Sequence, residues 1–253
     1  MIKTIIKAFP TKSRQPEEDN SPILNVAECF SDTIQGENFV GQPATFLRLQ
    51  GCTLQCIFCD TAEVWRQGNK YTVKELLKIF EDQGVIQRLQ NGQHLVLTGG
   101  SPLKQQDSLC SLIAKIIVKY KFKPLIEIEN ECTIMPNERM FTHVNRWNNS
   151  PKLANSGMKK ELTYKPEIIR YLSSLEDSWF KFVISNEDDW KEIEKDYLKP
   201  KLIMREQIVL MPEGQTRIEL QQNYEKVVNI CVRENLRMTD RLHVTIWNKT
   251  VGV

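Results

Sequence analysis

Short apolar runs alternate with amphipathic stretches along most of the chain, and this alternation restricts the fold more than any other feature. "ATFLRLQG" reads as a strand, and "TVKELLKIFEDQG" as a helix that starts from Thr72 and stops at Gly84. "HLVLTGG" is a buried strand closing on a glycine turn, "DSLCSLIAKIIVKYKF" a helix opening at Asp107, and "PLIEIEN" a strand again. "WFKFVIS" is the next strand, followed by the helix "NEDDWKEIEKDYL" and the strand "EQIVLMPEG". The helix "IELQQNYEKVVNICVREN" and a last strand, "RLHVTIW", complete the series. Between the third strand and "WFKFVIS" the pattern is irregular, with a strand expected through "THVNRW" and a helix from near Lys165. Strands separated by helices imply βαβ units, a parallel sheet and right-handed crossovers. About six such strands are fewer than a closed barrel needs. The expected fold is therefore α/β, a partial (open) TIM-like (β/α)6 barrel. Residues 1–22 read as an N-terminal arm with a flexible polar segment from about Pro10 to Pro22, and 23–253 as the barrel domain. No internal repeat or low-complexity segment interrupts it.

Composition narrows the function classes. A formal net charge of +2 over 253 residues is too small to suggest an electrostatic grip on a phosphate backbone, which counts against direct nucleic-acid binding, although a balanced total leaves room for a local patch. No apolar run is long enough to span a membrane, and the start lacks the apolar core of a signal peptide, so the chain is expected to be cytoplasmic. Seven cysteines in that compartment stay reduced. Cys29, Cys110, Cys132 and Cys231 stand singly among apolar neighbours and read as buried, inert thiols.

The other three cysteines lie together in "LRLQGCTLQCIFCDT" as Cys52, Cys56 and Cys59. A structural zinc site wants four ligands, so it would need His243 or Cys29 from elsewhere. A two-cysteine redox pair leaves Cys52 unexplained, and a fully ligated iron–sulfur carrier again wants a fourth thiolate. Three thiolates on a four-iron, four-sulfur cluster leave one iron open to a small molecule with an amine and a carboxylate, such as S-adenosylmethionine. The trio would sit at the carboxyl end of a strand, as would "TGGSP", "ENECT", "SNEDD" and "MPEG", where ligands collect in folds of this kind.

"CTLQCIFC" resembles the CxxxCxxC signature of the radical S-adenosylmethionine superfamily. With "TIQGEN", "FLRLQGC", "CDT", "TGGSP", "ENECT", "SPKLANS", "MPEG" and the terminal "RLHVTIWNKTVGV", the chain from about Glu28 to Val253 is similar to the 7-carboxy-7-deazaguanine synthase family. "TIQGE" and "CDT" are the most specific of these pieces. The resemblance implies a radical SAM type of partial barrel and a lyase of 7-deazapurine (queuosine-type) biosynthesis. Its reaction contracts the ring of 6-carboxy-5,6,7,8-tetrahydropterin, giving 7-carboxy-7-deazaguanine with loss of ammonia. It implies a [4Fe-4S] cluster on Cys52, Cys56 and Cys59 with one open iron, S-adenosyl-L-methionine, and Mg2+ on Thr61. It also implies a flavodoxin- or ferredoxin-like electron donor and a homodimer.

The resemblance gives the remaining site residues their roles. Ile34, Gln35, Gly36, Glu37, Arg48, Thr98 and the terminal Val253 would face the pterin, with Arg48 suited to a carboxylate through two parallel hydrogen bonds. Phe58, Asp60, Gly100, Ser101, Glu129, Ser150, Pro151, Lys152 and Ser185 would line the cofactor, with the Met211–Glu213 turn nearby. Gly99 and Gly100 would let backbone approach the methionine end of the cofactor. The chain departs from the family pattern at Ser101, where a glutamate is usual, and at Glu131 and Cys132 in "ENECT". Two other readings stand beside this one: a different small radical enzyme such as a glycyl-radical activase, and a non-catalytic iron–sulfur or zinc-binding scaffold.

Overall fold

The computed structural model describes residues 3–6, 20–36 and 40–248. Its strands are β1 (Lys3–Ile6), β2 (Ile23–Ile34), β3 (Pro43–Leu49), β4 (Asn69–Thr72), β5 (His94–Gly99), β6 (Ile126–Asn130), β7 (Arg146–Asn149), β8 (Ser178–Ile184), β9 (Ile208–Pro212) and β10 (Arg237–Met238). The α-helices are α1 (Ala62–Trp65), α2 (Val73–Asp82), α3 (Val85–Gln90), α4 (Gln106–Tyr120), α5 (Glu138–His143), α6 (Lys160–Thr163), α7 (Pro166–Ser173), α8 (Glu187–Ile193), α9 (Arg217–Glu234) and α10 (Leu242–Trp247).

All strands join one sheet in the order β1-β2-β3-β5-β6-β7-β8-β9-β10, with β4 also on β2. From β3 onward every pairing is parallel, whereas β2 runs antiparallel to β1, β3 and β4. The sheet does not close on itself, which is the open α/β architecture expected from the alternation. Strands covered on both faces read as continuous apolar runs, and β5 and β9 are buried over nearly their whole length. The outer face packs Phe180, Phe182, Ile184, Leu95, Leu97, Ile126 and Ile128 against the helices in one core cluster.

Helix starts follow the local chemistry. Thr72 caps α2, accepting from the Glu75 N–H at 3.1 Å while Glu75 accepts from the Thr72 N–H at 2.8 Å. Thr216 and Asn186 make the same reciprocal arrangement at α9 and α8.

Two expectations need correction, and one strand went unannounced. "RLHVTIW" is a helix, α10, not the last strand; the edge place beside β9 is taken by the two residues of β10. A short apolar run does not declare its period, and in α10 only Val244 is fully buried. The strand in "THVNRW" begins only at Arg146, because Thr142 and His143 end α5, which Asn137 caps by accepting from the Met140 N–H. The alternation also does not announce β2. Its polar residues and two register shifts, between Val26 and Glu28 and between Phe30 and Thr33, break the period of two. The polar segment expected up to Pro22 lies mostly outside the described residues, while Lys3–Ile6 pairs with β2 and puts Ile6 in the core.

Candidate active site

A cavity of about 670 Å³ opens at the carboxyl ends of β3, β5, β6 and β8. It gathers Ile34, Gln35, Gly36, Arg48, Cys52, Cys56, Phe58, Cys59, Asp60, Thr61, Thr98, Gly100, Glu129, Ser150 and Lys152 from across the chain. Ser101, Pro151 and Ser185 are not in its lining. The Ser185 hydroxyl is committed to Asp189 at 3.2 Å. Glu37 and Val253 lie outside the described residues.

The three thiols are half-buried in one loop and free. Donors already point at their sulfurs: the Leu54 N–H and the Ser101 hydroxyl reach Cys52 Sγ at 3.4 and 3.5 Å, and the Trp65 indole reaches Cys59 Sγ at 3.4 Å. Such donors suit thiolates bound to metal. Burial pushes the Cys52 and Cys56 thiols up, with the Ser101 hydrogen bond opposing this at Cys52 and the Lys152 charge opposing it at Cys56. Among the described residues no three histidine, cysteine or carboxylate groups converge on one ion. Cluster ligands need not converge, since each binds a different iron. Cys29 and Cys132 are fully buried and outside the cavity lining, so neither is placed as a fourth ligand. The loop therefore fits a three-thiolate cluster.

The glycine pair serves the loop itself. Gly99 has φ +149, and a Cβ there would meet Leu49 O at 2.4 Å; one on Gly100 would meet Gly51 O at 2.3 Å and Cys52 Cβ at 2.6 Å. The end of β5 thus lies directly against the start of the cysteine loop. Ser101, wholly buried, accepts from the Thr53 N–H at 2.8 Å. Thr53 Oγ1 in turn donates to Glu131 at 2.9 Å and lies 2.7 Å from the Thr133 hydroxyl. Ser101 and Glu131 thus meet on one threonine of the loop.

The inner face of the sheet is polar. Gln35 donates to Glu127 at 3.2 Å and Glu129 at 3.4 Å, while its own carbonyl accepts from the Gly36 N–H at 2.8 Å. Thr98 donates to Glu129 at 2.8 Å. Burial pushes the Glu129 carboxyl up despite the Thr98 hydrogen bond. Arg48 gives its Nε to Glu28 at 2.7 Å, so part of its fork is already used. Burial would raise the Asp60 carboxyl, but Arg241, and after it His243, hold it well below the usual carboxylate range. Thr61 stands at the N-terminus of α1, yet its hydroxyl makes no capping bond.

A 4Fe-4S single cluster domain family matches residues 35–129, the span holding the loop and β5. Over 240 residues the chain is 31% identical to the 7-carboxy-7-deazaguanine synthase of Pyrobaculum aerophilum, covering 92% of this chain and 98% of that one. The chain belongs to the 7-carboxy-7-deazaguanine synthase family. Proteins of the same name from Halobacterium salinarum and Bacillus subtilis are 29% and 28% identical, over 90% and 91% of this chain and 92% and 98% of theirs. The structure titled "Crystal structure of QueE from Escherichia coli" superposes with a TM-score of 0.63 at 21% identity, over 87% of this chain and 94% of that one, which shows the shared fold. Membership of this radical SAM family carries with it the cluster and S-adenosylmethionine.

Within that family frame, the cavity also holds residues the motif reading passed over. Glu28, Lys181, Asp240 and Arg241 line it, as does His243, considered only as a zinc ligand. Arg241 binds Asp60, and His243 Nε2 lies 3.3 Å from the same carboxylate. Their signal was present: polar residues inside otherwise apolar runs, "FKFVI" and "RLHV".

Proposed function

We propose that this chain converts 6-carboxy-5,6,7,8-tetrahydropterin into 7-carboxy-7-deazaguanine with loss of ammonia. The observation that carries the reading is a loop of three thiols, two of them already met by hydrogen-bond donors, opening on one polar cavity, in a chain that aligns over 92% of its length with a synthase of that name. When bound, the cluster and S-adenosylmethionine would supply radical chemistry for hydrogen-atom abstraction from C6 of the pterin. Cys52, Cys56 and Cys59 hold the cluster. Phe58, Gly100, Ser150 and Lys152 lie along the cofactor, and Lys152 is pinned by its ammonium to Ser150 O and Oγ, both at 2.7 Å. Ser101 acts from beneath, through Thr53. Gln35, Thr98 and Glu129 present a bonded row to the pterin ring and fix its plane by excluding water. Ile34, Gly36 and Arg48 frame that row.

Magnesium belongs to the proposal as well. The Thr61 hydroxyl, which caps nothing, and an Asp60 held as carboxylate suit a hard cation that keeps most of its waters. A small flavin or iron–sulfur protein as electron donor, and a homodimer, complete the reading. The seven free thiols support a reducing, cytoplasmic setting. Among the described residues no helix is long and apolar enough to cross a membrane.

The test is anaerobic turnover of reconstituted protein with carboxytetrahydropterin, followed by mass. The deazaguanine acid and 5′-deoxyadenosine are both expected. 5′-Deoxyadenosine without the acid would mean another radical enzyme, and neither product would mean a scaffold. Cys56→Ala is expected to lose both the cluster absorbance and all turnover.

A further inference from the structure

Trp65 lines the cavity, and no role above uses it. It ends α1, six positions after Cys59, and is 7% exposed. Its backbone carbonyl accepts from the Gly51 N–H at 2.9 Å, which ties the chain just before Cys52 to the chain after Cys59. Its indole N–H, a group that can only donate, reaches Cys59 Sγ at 3.4 Å. The Thr61 hydroxyl lies farther from that sulfur, at 3.9 Å. Arg66 places its guanidinium over the Trp65 ring, 5.6 Å from the centroid, where a cation polarises the indole and strengthens its N–H as a donor. The other two sulfurs are met differently: Cys52 by the Leu54 N–H and the Ser101 hydroxyl, and Cys56 by the charge of Lys152. A buried indole N–H needs an acceptor, and a thiol is a poor one. A thiolate carrying negative charge is a far better one, so the pairing suits the iron-bound form of Cys59 more than the free thiol.

We infer that Trp65 is a positioning residue for the cluster, and that its indole N–H on Cys59 raises the cluster's reduction potential and so eases reduction by the electron donor. This rests on the three-thiolate cluster and goes beyond the pterin reading, which it does not need. Reduction adds one electron, whose charge spreads in part onto the ligand sulfurs. A donor aimed at a sulfur therefore stabilises the reduced cluster more than the oxidised one. The sign separates this role from mere packing. Opening the site to water also stabilises added negative charge, so a loss of packing alone would raise the potential, whereas loss of the hydrogen bond lowers it.

The experiment is an anaerobic redox titration of the reconstituted full chain, without pterin, in which electron paramagnetic resonance counts the reduced cluster. It compares the native chain, Trp65→Phe, and a chain carrying at position 65 the benzothiophene analogue of tryptophan, which keeps the ring's shape and replaces the N–H by sulfur. Both replacements are expected to shift the reduction equilibrium about tenfold toward the oxidised cluster, a fall of about 59 mV for one electron. Proton double resonance on the reduced native cluster should show a strongly coupled proton that exchanges in D2O and is missing from the analogue. If Trp65→Phe loads less iron, the analogue carries the same comparison. An unchanged or higher potential in the analogue would overturn the inference, as would an exchangeable coupling that survives in it. A native chain that takes up no four-iron cluster would overturn the proposed function together with this inference. Native turnover of the pterin with equal potentials in all three chains would overturn this inference alone.

Discussion

Gly100 shows how narrowly single residues set this site. With 2.3 Å to Gly51 O and 2.6 Å to Cys52 Cβ, there is no room for even one carbon, and the obstacles are backbone and a cysteine stem. Gly100→Ala is expected to displace the cysteine loop, costing about 1–3 kcal/mol as overpacking does, and to lower the iron bound per chain on reconstitution. Iron content equal to that of the native chain would contradict this. Lys181 makes a prediction in pH. Its folded value of about 7 lies below the ordinary 10.5, so between those values the unfolded chain holds the proton that the folded chain has lost. Stability from this group therefore rises with pH across that window, and its full cost is felt below about pH 7. Lys181→Met should stabilise the protein more at pH 6 than at pH 9, by about 2–3 kcal/mol, read from denaturant midpoints.

At the scale of elements, the helices are set by caps and the strands by burial. Thr72 joins β4 to α2 and anchors that helix through its exchange with Glu75. Thr72→Ala is expected to cost about 1 kcal/mol in denaturant unfolding while leaving cluster loading intact, because α2 packs on the outer face away from the cavity. Capping pairs such as Thr72–Glu75 and Thr216–Glu219 are spelled out by neighbours in sequence, which is why those helices were legible. α10 was not. Its six residues carry both strand-like composition and helix-compatible spacing, and the decision came from Arg217, which donates to Thr245 O at 2.8 Å and to Ile246 O, with β10 already on the sheet edge. β2 was hidden for a related reason: two irregular pairings let Glu28 and Cys29 both be buried at successive positions.

For the whole molecule, the open sheet is bridged by the return of the chain after β9. Thr239 Oγ1 approaches Gly36 O at 3.5 Å, and the space beside Gly36 is filled by Leu242, whose Cβ would lie 3.3 Å from an added carbon. Arg241 and His243 then reach Asp60 directly after the cysteine loop. Removing residues 239–253 is therefore expected to leave the parallel sheet and the three cysteines able to take up a cluster. The truncated chain should still form 5′-deoxyadenosine slowly under reductant but lose pterin binding by a large factor. Full pterin affinity after truncation would refute a substrate role for this segment.

The chain's own order of residues determined the α/β class, the open parallel sheet, the cysteine loop and the family, because each depends on neighbours within a few positions or on a fixed spacing. What only the folded arrangement decided is which distant polar groups share a cavity. Gln35 with Glu127 and Glu129, Ser101 with Thr53 and Glu131, and Arg241 with Asp60 and Lys181 are partnerships across tens to hundreds of residues. Charge and hydrogen bonding act over ångströms of space, not positions of chain, so these contacts exist only once the strands have brought their ends together.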